Sequence, residues 1–382
     1  MIYLDNAATS FPKPQSVITS MLKAQRDIGA NAGRGGHKST VKAGEIVYST
    51  REALGEMFGC DSERVAFTLN CTQALNTAIK GILKSGDHVI ISSLEHNSVL
   101  RPIHKLAENG VAYSVARVNP LDEYETLRAF EGLIQKNTKA IICTMVSNVF
   151  GTVLPIEKIA CLSKNRGLIL IVDAAQGAGT LNVDMKKMNI DILCAPGHKG
   201  LLGPMGTGII MLREGIDVDS LTQGGTGSFS LMVNQPEVYP DKLESGTVNF
   251  PGIAGLLSGV RFIKRVGGEK TIAQKEGYLC DILTEDLSSI KGVDVYSEMR
   301  GKHSAGVIAF NVRDMHSEET AMLLDKENIA VRAGYHCAFL AHTTYGTTEK
   351  GAVRVSPGYF TTKKDIKTLV FYLNKIAKGQ LL

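Results

Sequence analysis

A lysine and an aspartate are the side chains of this sequence best suited to covalent chemistry. Lys199 follows Pro196, Gly197 and His198, and it lies between two short apolar runs in a stretch rich in glycine and proline. Glycines at such a turn leave space around the amine, which can condense with an aldehyde if its surroundings keep it partly unprotonated. A solvated surface lysine is the alternative, and this stretch alone leaves both interpretations open.

Asp173 directly follows the five apolar residues 168–172, a pattern typical of a strand buried on both faces. An acid at the carboxyl end of such a strand lies where open α/β sheets bind ligands. Lys199 comes 199 − 173 = 26 residues later, which leaves room for one crossover and one further strand. Pyridoxal 5'-phosphate (PLP) needs such a pair, a lysine for the Schiff base and a carboxylate for the pyridine nitrogen. The pair therefore favours a PLP site.

Apolar runs with the length of buried strands alternate with helical patterns between residues 65 and 212. This alternation predicts βαβ repeats with a mainly parallel, right-handed sheet. Polar residues gather at the carboxyl ends of the runs, where a doubly wound sheet builds its site. The predicted strands include residues 65–69, 88–92, 139–145, 168–172 and 208–212, and earlier helical patterns cover 15–28 and 39–58.

Several ordered motifs make the chain similar to a known family. Val-Asp-Ala-Ala-Gln-Gly at residues 172–177 and Gly-His-Lys-Gly at 197–200 resemble motifs of the class V aminotransferase-fold PLP enzymes. Within that family, the resemblance is to the cysteine desulfurases and selenocysteine lyases. It extends from Tyr-Leu-Asp-Asn-Ala-Ala-Thr at 3–9 to Arg-Ala-Gly-Tyr-His-Cys at 332–337.

The resemblance implies the PLP-dependent transferase fold (fold type I, as in aspartate aminotransferase). This α/β fold combines a large domain, built on a mainly parallel seven-stranded sheet, with a smaller α+β domain. We assign residues 15–255 to the large domain. Residues 1–14 and 256–382 are assigned to the small domain, which carries the loop of the candidate catalytic cysteine, Cys337.

Asn-Cys-Thr at residues 70–72 opens a helical pattern after a predicted strand. Backbone amides and a hydroxyl at a helix N-terminus form an anion site, although an ordinary N-cap worth about 1 kcal/mol is the alternative. Together with the other motifs, this favours Cys71 and Thr72 as ligands of the cofactor phosphate. The family's usual serine before Gly-His-Lys is Pro196 here, and proline offers neither a hydroxyl nor a backbone N–H. Phosphate binding is therefore expected to depend on Thr72, His198, nearby amides and Thr247.

The resemblance implies roles for further residues. The ring of His96 would stack over the pyridine ring, where an imidazole can also move protons; a structural histidine is the alternative. Asn148 matches a residue that hydrogen-bonds the ring oxygen, and Gln176 is a second candidate for that bond. Thr247 matches a threonine that contacts the phosphate in the neighbouring subunit, unless its segment is a plain surface loop. This match implies a homodimer with shared active sites.

Residues 332–337 resemble the motif that carries the catalytic cysteine in the second group of cysteine desulfurases. The resemblance implies that Cys337 attacks the substrate sulfur and becomes a persulfide, chemistry that a thiolate can perform. An incidental loop cysteine is the alternative. Residues 339–349 are small and polar, and we expect them to form a mobile loop.

A substrate amino acid also carries a carboxylate, which the planar fork of an arginine binds well. Arg354 matches the carboxylate-binding arginine of the family, and Asn148 is also expected at the substrate. Arg332 and Arg34 are further candidates near the mouth of the site. For each arginine a surface salt bridge is the alternative, more so for Arg34.

The composition restricts the class of protein. The 382 residues are 44% apolar and 21% charged, with a net charge of +4, which is too mild to indicate binding to nucleic acid or an anionic membrane. No apolar run approaches the roughly 20 residues of a membrane span, and no signal peptide is visible at the N-terminus. Seven cysteines without CxxC spacing favour a reducing cytoplasm and no zinc site.

The sequence therefore predicts a PLP-dependent cysteine desulfurase. It would convert L-cysteine to L-alanine and form a persulfide on Cys337, with Lys199 and His96 as further catalytic residues. A sulfur-acceptor protein would be an additional partner. The alternatives are a selenocysteine lyase, another PLP lyase or epimerase in which Cys337 is incidental, and a sulfur-relay or scaffold protein with a vestigial cofactor site.

Overall fold

The computed structural model describes residues 1–33, 35–297 and 305–381. The strands are β1 (Ile2–Tyr3), β2 (Val65–Thr68), β3 (His88–Ser92), β4 (Ala112–Ala116), β5 (Thr138–Thr144), β6 (Ile169–Asp173), β7 (Ile192–Pro196), β8 (Gly208–Leu212), β9 (Val293–Val295), β10 (Ile308–Val312), β11 (Ile329–Ala330) and β12 (Val353–Val355). The helices are α1 (Gln15–Lys23), α2 (Lys38–Phe58), α3 (Cys71–Ile82), α4 (Asn97–Ala107), α5 (Glu123–Glu131), α6 (Ile156–Asn165), α7 (Met185–Met188), α8 (Phe250–Arg265), α9 (Gly268–Ser288), α10 (Ser317–Lys326), α11 (Phe339–Tyr345) and α12 (Lys363–Ala377).

The largest sheet has seven strands in the order β2-β8-β7-β6-β5-β3-β4. Strand β8 runs antiparallel to both of its neighbours, and the other neighbouring strands are parallel. The prediction of a mainly parallel, seven-stranded α/β sheet is therefore confirmed. Short parallel strands with helical crossovers place the carboxyl ends of β3, β5, β6 and β7 along one edge.

Both faces of this sheet are covered by helices, as its continuous apolar strands predict. Along β5 and β6, successive side chains enter opposite cores, because side chains alternate across a strand. Ile141 and Leu170 belong to one core, with residues of α2 and α8, whereas Ile142 and Ile171 belong to the other, with residues of α3 and α4. The sheet is thus held rigidly between two apolar layers.

The N-terminal arm and the C-terminal third of the chain meet in a third core. Strand β1 pairs in parallel with β11, and β12, β10 and β9 form a three-stranded antiparallel sheet. Leu4 packs in this core with residues of α9, α10 and α12. Helix α8 runs continuously through the boundary at 255/256 and packs against α1, α2 and α9. The assignment of two domains at that boundary stays a prediction.

Two segments differ from the sequence-based expectation. Helix α9 spans Gly268–Ser288, whereas the sequence pattern alone indicates a helix only from Lys275 to Leu287. The prediction of a mobile loop at 339–349 is wrong for residues 339–345, which form α11. Ala341 and His342 are buried, and the Tyr345 ring stacks on that of Phe150 with centroids 3.7 Å apart. This apolar packing gives a short polar segment a helical fold that its composition does not indicate.

Within the described residues, no helix has both the length and the apolar character needed to cross a membrane.

Candidate active site

A cavity of about 190 Å³ opens at the carboxyl ends of β3, β5, β6 and β7. The predicted cofactor-binding residues in its wall are Cys71, Thr72, His96, Asn148, Asp173, Gln176, His198 and Lys199. Thr247, Arg332, Cys337 and Arg354 do not belong to that wall. Residues from five separate parts of the chain thus meet in one space because their strands share one sheet edge.

Lys199 is positioned by the turn that follows β7. Pro196 still pairs with Gly208 of β8, and the N–H of Gly197 donates to the carbonyl of Thr207 at 2.9 Å. A Cβ at position 197 would collide with the Thr207 side chain, so only glycine fits this close approach. Burial lowers the pKa of the half-buried Lys199 to about 8; the charge of Asp173 opposes this shift, while that of Arg354 adds to it. A substantial fraction of the amine is therefore neutral near physiological pH.

Asp173 ends β6 and is only 2% exposed. Its Oδ1 accepts the N–H of Ala175 at 2.9 Å and lies 3.6 Å from the Sγ of Cys71. Among the described residues, Oδ2 has no hydrogen-bond donor, which leaves it available to a ligand in the cavity. Burial raises the pKa of Asp173, whereas the hydrogen bond from Ala175 and the charge of Lys199 lower it.

His96 caps the N-terminus of α4. Its Nδ1 accepts the N–H of Ser98 at 3.0 Å, so the proton of the neutral ring resides on Nε2. Burial lowers the pKa of His96 to about 4, and the charge of Lys199 adds to this shift. The cavity therefore contains a flat, uncharged imidazole whose backbone is fixed by a helix cap.

The start of α3 and the residue before Lys199 form the polar end of the cavity. The Asn70 side chain accepts the N–H of Gln73 at 2.9 Å, while the amides of Cys71 and Thr72 belong to the first turn, which has no intrahelical acceptor. His198 has a buried Nδ1 without a partner among the described residues. Unpaired donors at a helix N-terminus suit a bound anion.

Two side-chain amides connect the cavity to other segments. Asn148 donates through Nδ2 to the carbonyl of His336 at 2.8 Å, and Gln176 donates to the carbonyl of Ala7 at 3.0 Å. Both residues line the cavity, and their hydrogen bond to a cofactor ring oxygen stays a prediction. Thr247 lies on an exposed segment instead, where its hydroxyl accepts from Asn31 at 3.3 Å.

Cys337 is an exposed, free cysteine next to this cavity. Its carbonyl accepts the N–H of Asn97, the residue after His96, at 2.7 Å. Gly334, His336 and Cys337 all have positive φ angles, of 95°, 50° and 57°. Such backbone is unfavourable for residues with a Cβ, and it shapes a tight turn that leaves Cys337 at the surface.

Arg354 lies beneath this turn and is only 1% exposed. Its guanidinium donates to Asp5 at 2.6 Å and to the carbonyl of Asn148 at 2.9 Å, while Nε has no partner among the described residues. Arg332 is half-buried and pairs with Arg354 through two backbone hydrogen bonds. The remaining candidate, Arg34, lies outside the described residues.

Glu95, a fully buried acid between β3 and His96, was not predicted from the sequence. Its Oε1 accepts the N–H of Thr144 at 2.8 Å and the hydroxyl of Ser92, and Oε2 has no partner among the described residues. Burial raises the pKa of Glu95 to about 8. Glu95 comes shortly after the buried strand β3, with Ser93 and Leu94 between them, so its position near a strand end was a weaker signal than the apolar run directly before Asp173. Asp5, the partner of Arg354, had no comparable local signal.

Comparisons with known proteins agree with this geometry. The aminotransferase class-V family, whose members are PLP enzymes, matches residues 2–369. A probable cysteine desulfurase of Methanothermobacter thermautotrophicus is 31% identical over 98% of this chain and 94% of its own length. A cysteine desulfurase of Yersinia pestis is 31% identical over 99% of this chain and 94% of its own length.

A solved structure supports the same relationship. The apo structure of cysteine desulfurase from Thermococcus onnurineus NA1 superimposes with a TM-score of 0.91 at 31% identity, covering 99% of this chain and 95% of that one. The fold predicted from the resemblance is therefore confirmed. With a family match over almost the whole length and relatives above 30% identity, this chain belongs to the aminotransferase class-V family.

Proposed function

We propose that this protein is a PLP-dependent cysteine desulfurase, which converts L-cysteine to L-alanine and retains the sulfur as a persulfide on Cys337. The observation that carries the proposal is the shared cavity of Lys199 and Asp173, with the exposed Cys337 docked on Asn97 beside it. The names of the relatives support the same activity.

The residues of the cavity fit PLP. Lys199 supplies a partly neutral amine for the aldehyde, and Asp173 Oδ2 is available to the ring nitrogen. The uncharged ring of His96 offers a flat surface for stacking. When bound, PLP supplies an electron sink for the carbanion formed at the substrate α-carbon.

The phosphate and the ring oxygen of PLP would meet the remaining polar groups. The amides of Cys71 and Thr72, the Thr72 hydroxyl and the unpaired His198 Nδ1 suit the phosphate. This set replaces the serine hydroxyl that Pro196 cannot provide. Asn148 and Gln176 would hydrogen-bond the ring oxygen.

Two residues of this chain would carry the reaction. The amine of Lys199 takes the α-proton from the substrate and later returns a proton to the product. The thiolate of Cys337 attacks the substrate sulfur, so that the substrate C–S bond breaks while an S–S bond forms. Cys337 is oxidised to a persulfide, the substrate β-carbon is reduced to a methyl group, and no further oxidant or reductant is needed.

Arg354 is proposed to bind the substrate carboxylate, with Arg332 at the mouth. Arg354 already forms a buried ion pair with Asp5, so a substrate carboxylate would share or displace that partner. The more accessible Arg332 requires no such exchange.

A homodimer with shared sites belongs to the same proposal. Thr247 is exposed and does not line the cavity of its own chain. The preceding segment presents Phe229, Leu231 and Val233 to solvent, the last two completely, and exposed apolar side chains in such a cluster suit a second copy of this chain. Thr247 would then meet the phosphate of the partner's site.

The persulfide provides the decisive test. Purified protein treated with L-cysteine should release L-alanine and gain the mass of one sulfur atom on the peptide that contains Cys337. Cys337→Ser should lose both signals, whereas Cys161→Ser, a change at the other exposed cysteine, should retain both. Full alanine release by Cys337→Ser, or sulfur bound elsewhere, would contradict the proposal.

A further inference from the structure

The carboxylate of Asp173 is held on one oxygen only, and a buried thiol provides one of its two contacts. We propose that Cys71 is a positioning residue whose S–H group holds Oδ1 of Asp173 and so leaves Oδ2 directed to the ring nitrogen of PLP. This inference rests on the proposed function, and it adds a role for the Cys71 side chain beyond that of the Cys71 amide toward the phosphate.

The geometry restricts the rotation of the Asp173 carboxylate. Ala175, which lies in the segment after β6, donates its N–H to Oδ1 at 2.9 Å. The Cys71 Sγ lies 3.6 Å from the same oxygen. Cys71 is the first residue of α3 and is fixed there by the Asn70 cap. Two donors from two elements therefore hold one orientation of a group whose rotation is otherwise nearly two-fold.

The Cys71 thiol remains a donor in the neutral pH range. Burial raises its pKa well above the ordinary value, and the charge of Asp173 adds to this shift. The thiolate is thus disfavoured next to the carboxylate, and the S–H group is the stable form. Because a thiol is a weak donor, its loss should have a moderate effect.

Other ionisable groups surround Asp173 without donating to it. The groups whose charges act on Asp173, or that respond to its charge, are Lys199 after β7, Glu95 after β3, Cys143 on β5 and Cys194 on β7. Cys194 is opposite Asp173 in the β6–β7 register and, like Cys71, is buried. Its thiol forms no hydrogen bond to Asp173 among the described contacts, so Cys194 is a matched control.

The test uses the full-length apoenzyme and titrates it with PLP over a range of pH, following visible absorption and intact mass. A hydrogen bond to an ionised carboxylate lowers its pKa. Cys71→Ala and Cys71→Val should therefore raise the pKa of Asp173 and move the acidic limb of PLP binding to higher pH. We expect a shift of about half a pH unit, or about threefold weaker binding on that limb.

The remaining variants separate the hydrogen bond from packing. Cys71→Ser keeps a hydrogen-bond donor, so the acidic limb of its PLP binding should lie at the wild-type pH or at a lower one. Cys194→Ala should show the wild-type pH dependence. A wild-type limb in both Cys71→Ala and Cys71→Val, or an equal shift in Cys194→Ala, would overturn the inference. Should Cys71→Ala fail to fold, the bulkier Cys71→Val decides. Wild-type protein that binds no PLP would instead refute the proposed cofactor site itself.

Discussion

The floor of the cavity consists of His96, Asp173 and Lys199, whereas its rim consists of the turn 334–337 with Arg354 beneath it. The floor residues lie at or shortly after the carboxyl ends of strands of one sheet, which is packed between two apolar cores. The rim is held by contacts between distant segments, such as the ion pair of Arg354 with Asp5 and the hydrogen bond from Asn148 to the carbonyl of His336.

The floor and the rim therefore control different properties of the site. On the floor, burial sets protonation: it lowers the pKa of Lys199 and His96 and raises that of Asp173. On the rim, strained backbone and a few polar contacts set the position of an exposed thiol. We therefore expect floor variants to change cofactor binding and rim variants to change sulfur transfer.

Loss of the floor lysine should have the largest effect. Lys199→Ala should reduce alanine release by at least about a thousandfold, because it removes the proposed covalent anchor and the proposed base. Borohydride reduction followed by intact mass measurement should show covalent PLP on wild type but not on this variant. The exposed Lys139→Ala serves as the control. Persistent covalent PLP in Lys199→Ala would assign the anchor to another lysine and break the comparison.

Loss of the rim thiol should affect sulfur and selenium differently. Cys337→Ala should reduce L-cysteine turnover by about a hundredfold or more while sparing a measurable part of L-selenocysteine turnover, since the weaker C–Se bond depends less on a thiol. Its visible PLP spectrum should match that of wild type. Equal losses of turnover with both substrates, or a changed PLP spectrum, would show that the rim also affects cofactor binding by the floor residues.

The pH dependence of PLP uptake should report the floor lysine. Only the neutral amine reacts with the aldehyde, so the uptake rate of the apoenzyme should rise about tenfold per pH unit and level off above about pH 8. Rapid-mixing absorbance measures this rate. Burial also lowers the pKa of Lys13 to about 8, which makes Lys13→Met a stringent control. If Lys13→Met no longer shows a midpoint near pH 8 in the uptake rate, the group that titrates is Lys13 and not Lys199.

The smallest effect concerns the buried acid behind the floor. Glu95 has a folded pKa of about 8 against an ordinary value of 4.5. Between these values the unfolded chain is ionised and the folded protein is not, so this group lowers stability as pH rises from 4.5 to 8. Glu95→Gln should remove that loss and be more stable than wild type by roughly 1–3 kcal/mol at pH 8.

Denaturant unfolding of wild type and Glu95→Gln at pH 5 and pH 8 measures the difference. The exposed Glu52→Gln should show no such divergence. A constant difference at both pH values would mean that Glu95 is ionised in the folded protein, and the floor would then contain a second charged carboxylate beside Asp173.

Sequence patterns predicted the floor more completely than the rim. Five apolar residues before Asp173 and the Gly/Pro-rich turn at Lys199 are local signals, and parallel strands necessarily bring their carboxyl ends together. Glu95 had a weaker signal, because Ser93 and Leu94 separate it from the end of β3. The short helix α11 had none, because its fold depends on the stacking of Tyr345 on Phe150.

The sequence by itself determined the mainly parallel sheet and the residues at its carboxyl edge, because strand periodicity and apolar runs are encoded over a few residues. Only the tertiary structure decided that Arg354 is buried against Asp5, that Cys71 contacts Asp173, and that the Cys337 turn rests on Asn97. Each of these contacts joins segments far apart in the chain, and burial then changes the charge state of the groups it encloses. No local pattern encodes such pairings, since they exist only once the cores have packed.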